Sequence, residues 1–140
     1  MCMNSAAKVD SAERRARQRF VAKRRGDVCF WALVNGVRRP LNDLSLEGFS
    51  LPVSADLGAG VSFSFVLQRE GVPDRIEGRA EVVNQITDGG LRKAGCRFVE
   101  IDGEEVERLK EWLIAHVLAN ATVRINERDA TAIVSGPSLI

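Results

Sequence analysis

Strict alternation of apolar and polar residues is the feature that most limits how this chain can fold. In Val61-Ser62-Phe63-Ser64-Phe65-Val66-Leu67-Gln68, period two puts Val61, Phe63, Phe65 and Leu67 on one face. Arg75-Ile76-Glu77-Gly78-Arg79-Ala80-Glu81-Val82 alternates charged with apolar or small residues for a full strand length. Lys93 to Val99 repeats the pattern, with Ala94, Cys96 and Phe98 on one side. This is the signature of antiparallel sheet with one wet face. Asp27 to Asn35 is apolar on both faces, as expected of a strand covered on both sides, and Phe49, Leu51 and Val53 mark a short strand. Asn35-Gly36 is a two-residue hairpin signal, and the glycine-rich stretches 58–60, 71–74 and 88–90 are further turns. About six strands joined by short turns, with no helices between them, predict a mainly β fold: a six-stranded antiparallel β-barrel.

One helix follows. Asp102 and Glu105 have the spacing of a capping box, and Val106, Leu109, Leu113 and Val117 recur near 3.6 residues, with Trp112 and Leu118 beside them. The stripe predicts a C-terminal helix over 102–118 that closes one end of the barrel. Residues 119–140 lean polar and are expected to form a mobile tail. Trp31 and Trp112 are expected in the core. At 140 residues, 45% hydrophobic and 28% charged, the chain suits a single ordered domain. No apolar run approaches a membrane span, and the first ten residues lack a signal-peptide core.

The formal charge is only +1, yet it is unevenly spread. Residues 1–26 hold eight Lys and Arg against Asp10 and Glu13, so they carry +6 and the remainder carries −5. A basic arm on a mildly acidic body attracts an anionic partner. Cys2, Cys29 and Cys96 have no metal-ligand spacing, and a reducing, cytoplasmic setting is expected. His116 is the only histidine and has no nucleophile beside it in sequence. No paired carboxylates, P-loop, metal ligands or catalytic residues emerge, so an enzyme is not expected.

Two short segments remain. Glu13 to Phe20 contains an RxxxR spacing at Arg15 and Arg19, with Arg14 immediately before it. Leu41 to Phe49 contains D-x-S-x-x-G at Asp43, Ser45 and Gly48. Together, in this order, with Gly95-Cys96-Arg97-Phe98 near the last strand, they resemble the PilZ domain family over roughly Glu13 to Leu118. The resemblance implies a six-stranded antiparallel barrel with a C-terminal helix and binding of cyclic di-GMP, with no cofactor. Residues 1–12 would be a flexible N-terminus, 13–26 the ligand-binding arm, 27–101 the barrel and 102–118 the helix. The ligand-binding residues it implies are Arg14, Arg15, Arg19, Asp43, Ser45 and Gly48. An arginine at the Arg14 position implies an intercalated ligand dimer. Asn84 stands where some members carry a tryptophan near the guanine.

The chemistry of these side chains agrees with such a ligand. Guanidinium forks onto phosphate, pairs with guanine O6 and N7, and stacks on purines. A carboxylate at Asp43 matches the donor edge of guanine, while Ser45 can bond a ligand or close its own turn. Gly48 is expected to supply a backbone shape that a Cβ would block. The arm, with little to bury, is expected to be loose when empty and to become ordered on binding, a change for an effector protein to read. Two alternatives stay open: a ligand-free PilZ adaptor in protein–protein interaction, as in pilus assembly, and a general nucleic-acid binder using the arm. The second would be steeply salt-dependent, and no specific nucleic acid is expected.

Overall fold

The computed structural model describes residues 17–121 and 124–137. Its centre is a curled antiparallel sheet built from β4 (Phe30–Val34), β5 (Val37–Pro40), β6 (Asp43–Leu44), β7 (Gly48–Pro52), β8 (Ser62–Arg69), β9 (Val72–Asp88) and β10 (Leu91–Ile101). Preceding them are three two-residue strands, β1 (Phe20–Val21), β2 (Lys23–Arg24) and β3 (Asp27–Val28). Along the large sheet the order is β1-β6-β7-β10-β9-β8-β4-β5, and β2 pairs with β3 in a separate two-stranded sheet. β5 and β6 are consecutive lengths of one bent segment. Leu41 donates its N–H to Phe30 O at 3.1 Å, and Asn42 donates to Ser50 O at 2.8 Å. Residues 37–44 therefore bond to β4 at one end and β7 at the other, which turns the curl into the expected barrel-like fold.

The alternation read from sequence sorts the faces as anticipated, except that Val61 falls before β8 and is exposed. Phe63, Phe65 and Leu67 on β8 and Ile76, Ala80 and Val82 on β9 are buried, as are Ala94 and Cys96 on β10. Phe49 lies at the centre, its ring 5.4 Å from Phe65, 5.8 Å from Phe98 and 6.3 Å from Phe63. Such pairs add about 0.5–1.5 kcal/mol each beyond their buried area. Asn35 and Gly36 have φ of 51° and 78° and join the pair Val34–Val37, the two-residue turn expected from their identity. Trp31 departs from expectation. It is half-buried on the outer face of β4, with the Arg38 guanidinium 3.9 Å from its ring centroid. The β4 face carrying Phe30, Ala32 and Val34 is the buried one.

Helix α1 (Gly103–Asn120) buries Leu109, Trp112, Leu113 and His116. Trp112 stacks on Phe30 with centroids 6.2 Å apart. The Asp102–Glu105 capping box does not form, since Asp102 makes no side-chain cap bond. Glu105 instead accepts a hydrogen bond from the Glu77 N–H at 2.7 Å and pairs with Arg108 at 2.7 Å. Its carboxylate therefore fastens the helix to β9.

The tail expected over 119–140 contains a second helix, α2 (Glu127–Ser135), where a mobile coil was anticipated. Asn126 and Asp129 form a reciprocal capping box, and Ala130 and Val134 are buried. Three to four residues separate the apolar positions, so the short helix lays one stripe down, and Val134 joins the main core. Among the described residues, no helix is long and apolar enough to cross a membrane.

Candidate functional site

The two motifs meet where the arm enters the sheet. β1 pairs with β6 in the register Phe20–Leu44 and Val21–Asp43. This brings Arg19 to Asp43, and the Arg19 guanidinium donates to the Asp43 carboxylate at 2.9 Å. Arg19 is about half exposed at 49% and Asp43 at 20%, so the pair sits at the surface in reach of water. Arg14 and Arg15 lie outside the described residues.

The loop after Asp43 is held by its own hydrogen bonds. Ser45 is buried; its N–H donates to Gly48 O at 2.8 Å, and its hydroxyl accepts from the Glu47 N–H at 3.1 Å and reaches Gly48 O at 3.4 Å. Its hydroxyl thus closes a turn, the second of the two roles open to it from sequence. Gly48 lies opposite Arg97 in the β7–β10 register. A Cβ there would fall on Cys96 O, well inside contact distance, and 3.0 Å from Arg97 Cα. The absent side chain lets β7 press against β10.

Two residues not singled out from sequence complete the surroundings. Glu47 accepts a hydrogen bond from the Arg17 N–H at 3.0 Å, and its carbonyl accepts from the Phe98 N–H at 2.9 Å. It links arm, loop and last strand at once. Arg97, beside Gly48, is 63% exposed and pairs with Glu81 at 3.3 Å. Both depend on strand register, which no local spacing reveals. Cys96 beneath this region is a buried thiol, pushed up to about 12 by desolvation, with the Arg19 charge acting in the opposite direction.

The arm itself differs from the loose segment expected. From Arg17 onward it is part of the fold, through a bridge from Arg17 to Pro137, the β1–β6 pair and the β2–β3 hairpin. Asn84 pairs with Gly95 and is exposed, its carboxamide lying over the space a Gly95 side chain would need. At the adjoining bulge in β9, the register steps from Gly95–Asn84 to Cys96–Val82. Among the described residues, no group of three His, Cys, Asp or Glu is placed to hold a metal ion.

The family model described as PilZ domain matches residues 13–115. The chain belongs to the PilZ domain family. Comparison with curated proteins gives no match. Among solved structures, the inhibitor of motility MotI/DgrA of Bacillus subtilis aligns with a TM-score of 0.59 at 19% identity, over 74% of this chain and 50% of that one. MrkH, described as a c-di-GMP-dependent transcription regulatory factor, aligns with a TM-score of 0.56 at 18% identity, over 74% of this chain and 50% of its own. The PilZ domain of YcgR from Escherichia coli, solved with c-di-GMP, gives 0.51 at 17% identity, over 70% of this chain and 87% of that one. At these identities the likeness is one of fold. The chain spans about half the length of the MotI/DgrA and MrkH structures.

Proposed function

We propose that this PilZ domain is a receptor for cyclic di-GMP, bound between the arginine arm and the Asp43–Gly48 loop. The observation that carries this reading is the Arg19–Asp43 pair, which brings together residues from both motifs across 24 positions of chain. An exposed ion pair of this kind is worth about 0–1 kcal/mol, so a ligand can replace it at small cost. Asp43 then accepts from the guanine donor edge, and Arg19 forks onto phosphate or guanine. Arg15 engages a second part of the same ligand, and Arg14 favours an intercalated dimer. Ser45 and Gly48 act by shape, holding the loop that presents Asp43. Family membership and the c-di-GMP named with the YcgR and MrkH structures support the ligand class.

The signal leaves through an effector protein. Ligand draws Arg14 and Arg15 over Asp43 and Ser45, and the resulting surface is what the effector reads. Titration calorimetry on the full chain tests the receptor reading. The expected result is saturable binding of cyclic di-GMP, with about two ligands per chain, unaffected by excess GTP or single-stranded DNA. No binding at about 100 µM ligand, weaker than roughly −5.5 kcal/mol, would overturn it. A pull-down with and without ligand tests the effector step. A partner retained equally under both conditions contradicts ligand-controlled output.

A further inference from the structure

A second cluster of arginines lies outside both motifs. The β2–β3 hairpin, the end of β8 and the C-terminal half of α1 enclose a cavity of about 410 Å³. Arg24, Arg25 and Arg69 line it, with Cys29 and His116 also in its wall. Among the described residues, none of those proposed to bind cyclic di-GMP lines this cavity. Its volume is in the range of small-molecule sites.

The arginines are not committed to the protein. Among the described residues, none of the three has an ion pair or side-chain hydrogen bond, although Asp27 and Glu70 line the same cavity. Arg69 is half-buried, and a partly desolvated guanidinium without a partner is an unusual expense for a fold. Arg69 and Arg24 line the same cavity as Cys29 and His116, and the charge of each acts to lower the pKa of both groups. Burial favours the neutral form of His116. Its Nε2–H donates to Val21 O at 2.8 Å, leaving Nδ1 as an acceptor 3.2 Å from the Asn120 amide nitrogen and 3.8 Å from Cys29 Sγ.

Arg25 supplies an independent sign. It and Gly26 form the two-residue turn of the hairpin, with φ of 54° and 86°. The β4–β5 hairpin makes the same kind of turn with Asn35 and Gly36, the residues such a turn prefers. The chain bears left-handed strain at position 25 while keeping an arginine there, as strained residues at binding sites do.

We propose that this cavity is a second ligand site, one that takes a phosphate monoester whose body carries hydroxyl or amine donors. Arg24, Arg25 and Arg69 hold the phosphate by charge-assisted hydrogen bonds. Asp27 and Glu70 accept from the donors of the body, which separates an ester from inorganic phosphate. The concave shape and small volume favour a small molecule over a nucleic-acid backbone.

The test is an NMR titration of the full chain with AMP, glucose 6-phosphate and inorganic phosphate, using sodium chloride at matched ionic strength as control. The expected result is saturable shifts of the Arg24, Arg25, Cys29, Glu70 and Ala119 amides, with at least one ester binding more tightly than inorganic phosphate. R69Q and R25N each weaken that binding about tenfold, the loss of one charge-assisted bond. R25N suits the turn, so it keeps the fold if R69Q does not. Cyclic di-GMP titrations of R69Q, whose side chain lies on β8 outside the arm, stay within about twofold of wild type, whatever the wild-type affinity. Four results overturn the proposal: no saturable shift with either ester, equal shifts with sodium chloride, unchanged ester affinity in both variants, or displacement of the ester by cyclic di-GMP.

Discussion

Replacing Arg19 by alanine separates a residue that binds ligand from one that holds the fold. Arg19 makes one ion pair with Asp43 at 2.9 Å, with 49% and 20% of the two side chains exposed. Water screens such a pair, so its loss costs about 1 kcal/mol or less, and Tm falls by no more than roughly 4 °C for a domain of this size. In the complex the same guanidinium makes one or two charge-assisted bonds, each worth about 1.5–3 kcal/mol. One such bond corresponds to an affinity loss of about 10- to 150-fold. Arg19→Lys keeps the charge but not the fork, and is expected to fall between wild type and Arg19→Ala. Calorimetric titration with cyclic di-GMP, together with a thermal melt of each variant, measures both quantities on one sample. An affinity within twofold of wild type would refute the reasoning. So would a drop in Tm of about 10 °C, because the arginine would then act through the fold.

Four further outcomes are expected. Gly48→Ala drives a methyl into Cys96 O, where only backbone can yield, and should destabilise the chain by about 3 kcal/mol in urea unfolding; a loss under about 0.5 kcal/mol would contradict the close approach of β7 and β10. Burial lowers the pKa of His116 below its ordinary 6.5, so its neutral form contributes stability above pH 6.5 that is lost as pH falls from 6.5 towards the depressed value; unfolding midpoints should drop over that window, and His116→Gln should flatten the drop. Cys96, with its thiol near 12, should resist alkylation at pH 8 until the chain is unfolded, as peptide mass spectrometry would show; rapid labelling of the native chain would contradict its burial. Asn126→Ala removes the cap that α2 shares with Asp129 and should cost about 1 kcal/mol, read as faster hydrogen exchange over 127–134.

Sequence alone made the barrel legible where one rule governed a whole element. Period two put Phe63, Phe65 and Leu67 inside, and Asn35-Gly36 placed its turn, because both effects are local. α1 ends two residues beyond the expected Leu118, within the usual fraying of helix boundaries. α2 was hidden because nine residues show too little periodicity to stand above a polar tail. Its one local signal is Asn126 and Asp129 at capping-box spacing. Apolarity alone places Trp31 in the core, but tertiary context leaves it under Arg38 on the outer face. The motifs point to Asp43, Ser45 and Gly48, and Glu47 adjoins them in sequence, yet its bonds to Arg17 and Phe98 and the approach of Arg97 come from strand pairing, and that register is not written in any short segment. The tight constraint at Gly48 also comes from β10, about fifty residues along the chain.

Residue-resolved titration of the full chain with cyclic di-GMP tests the location of the site most directly. The proposed site requires the amides of Arg19, Asp43, Ser45 and Gly48 to shift together and saturate, and Arg15→Ala with Arg19→Ala to abolish the response. Saturable shifts confined to other surfaces, or a response that survives the loss of both arginines, would contradict it.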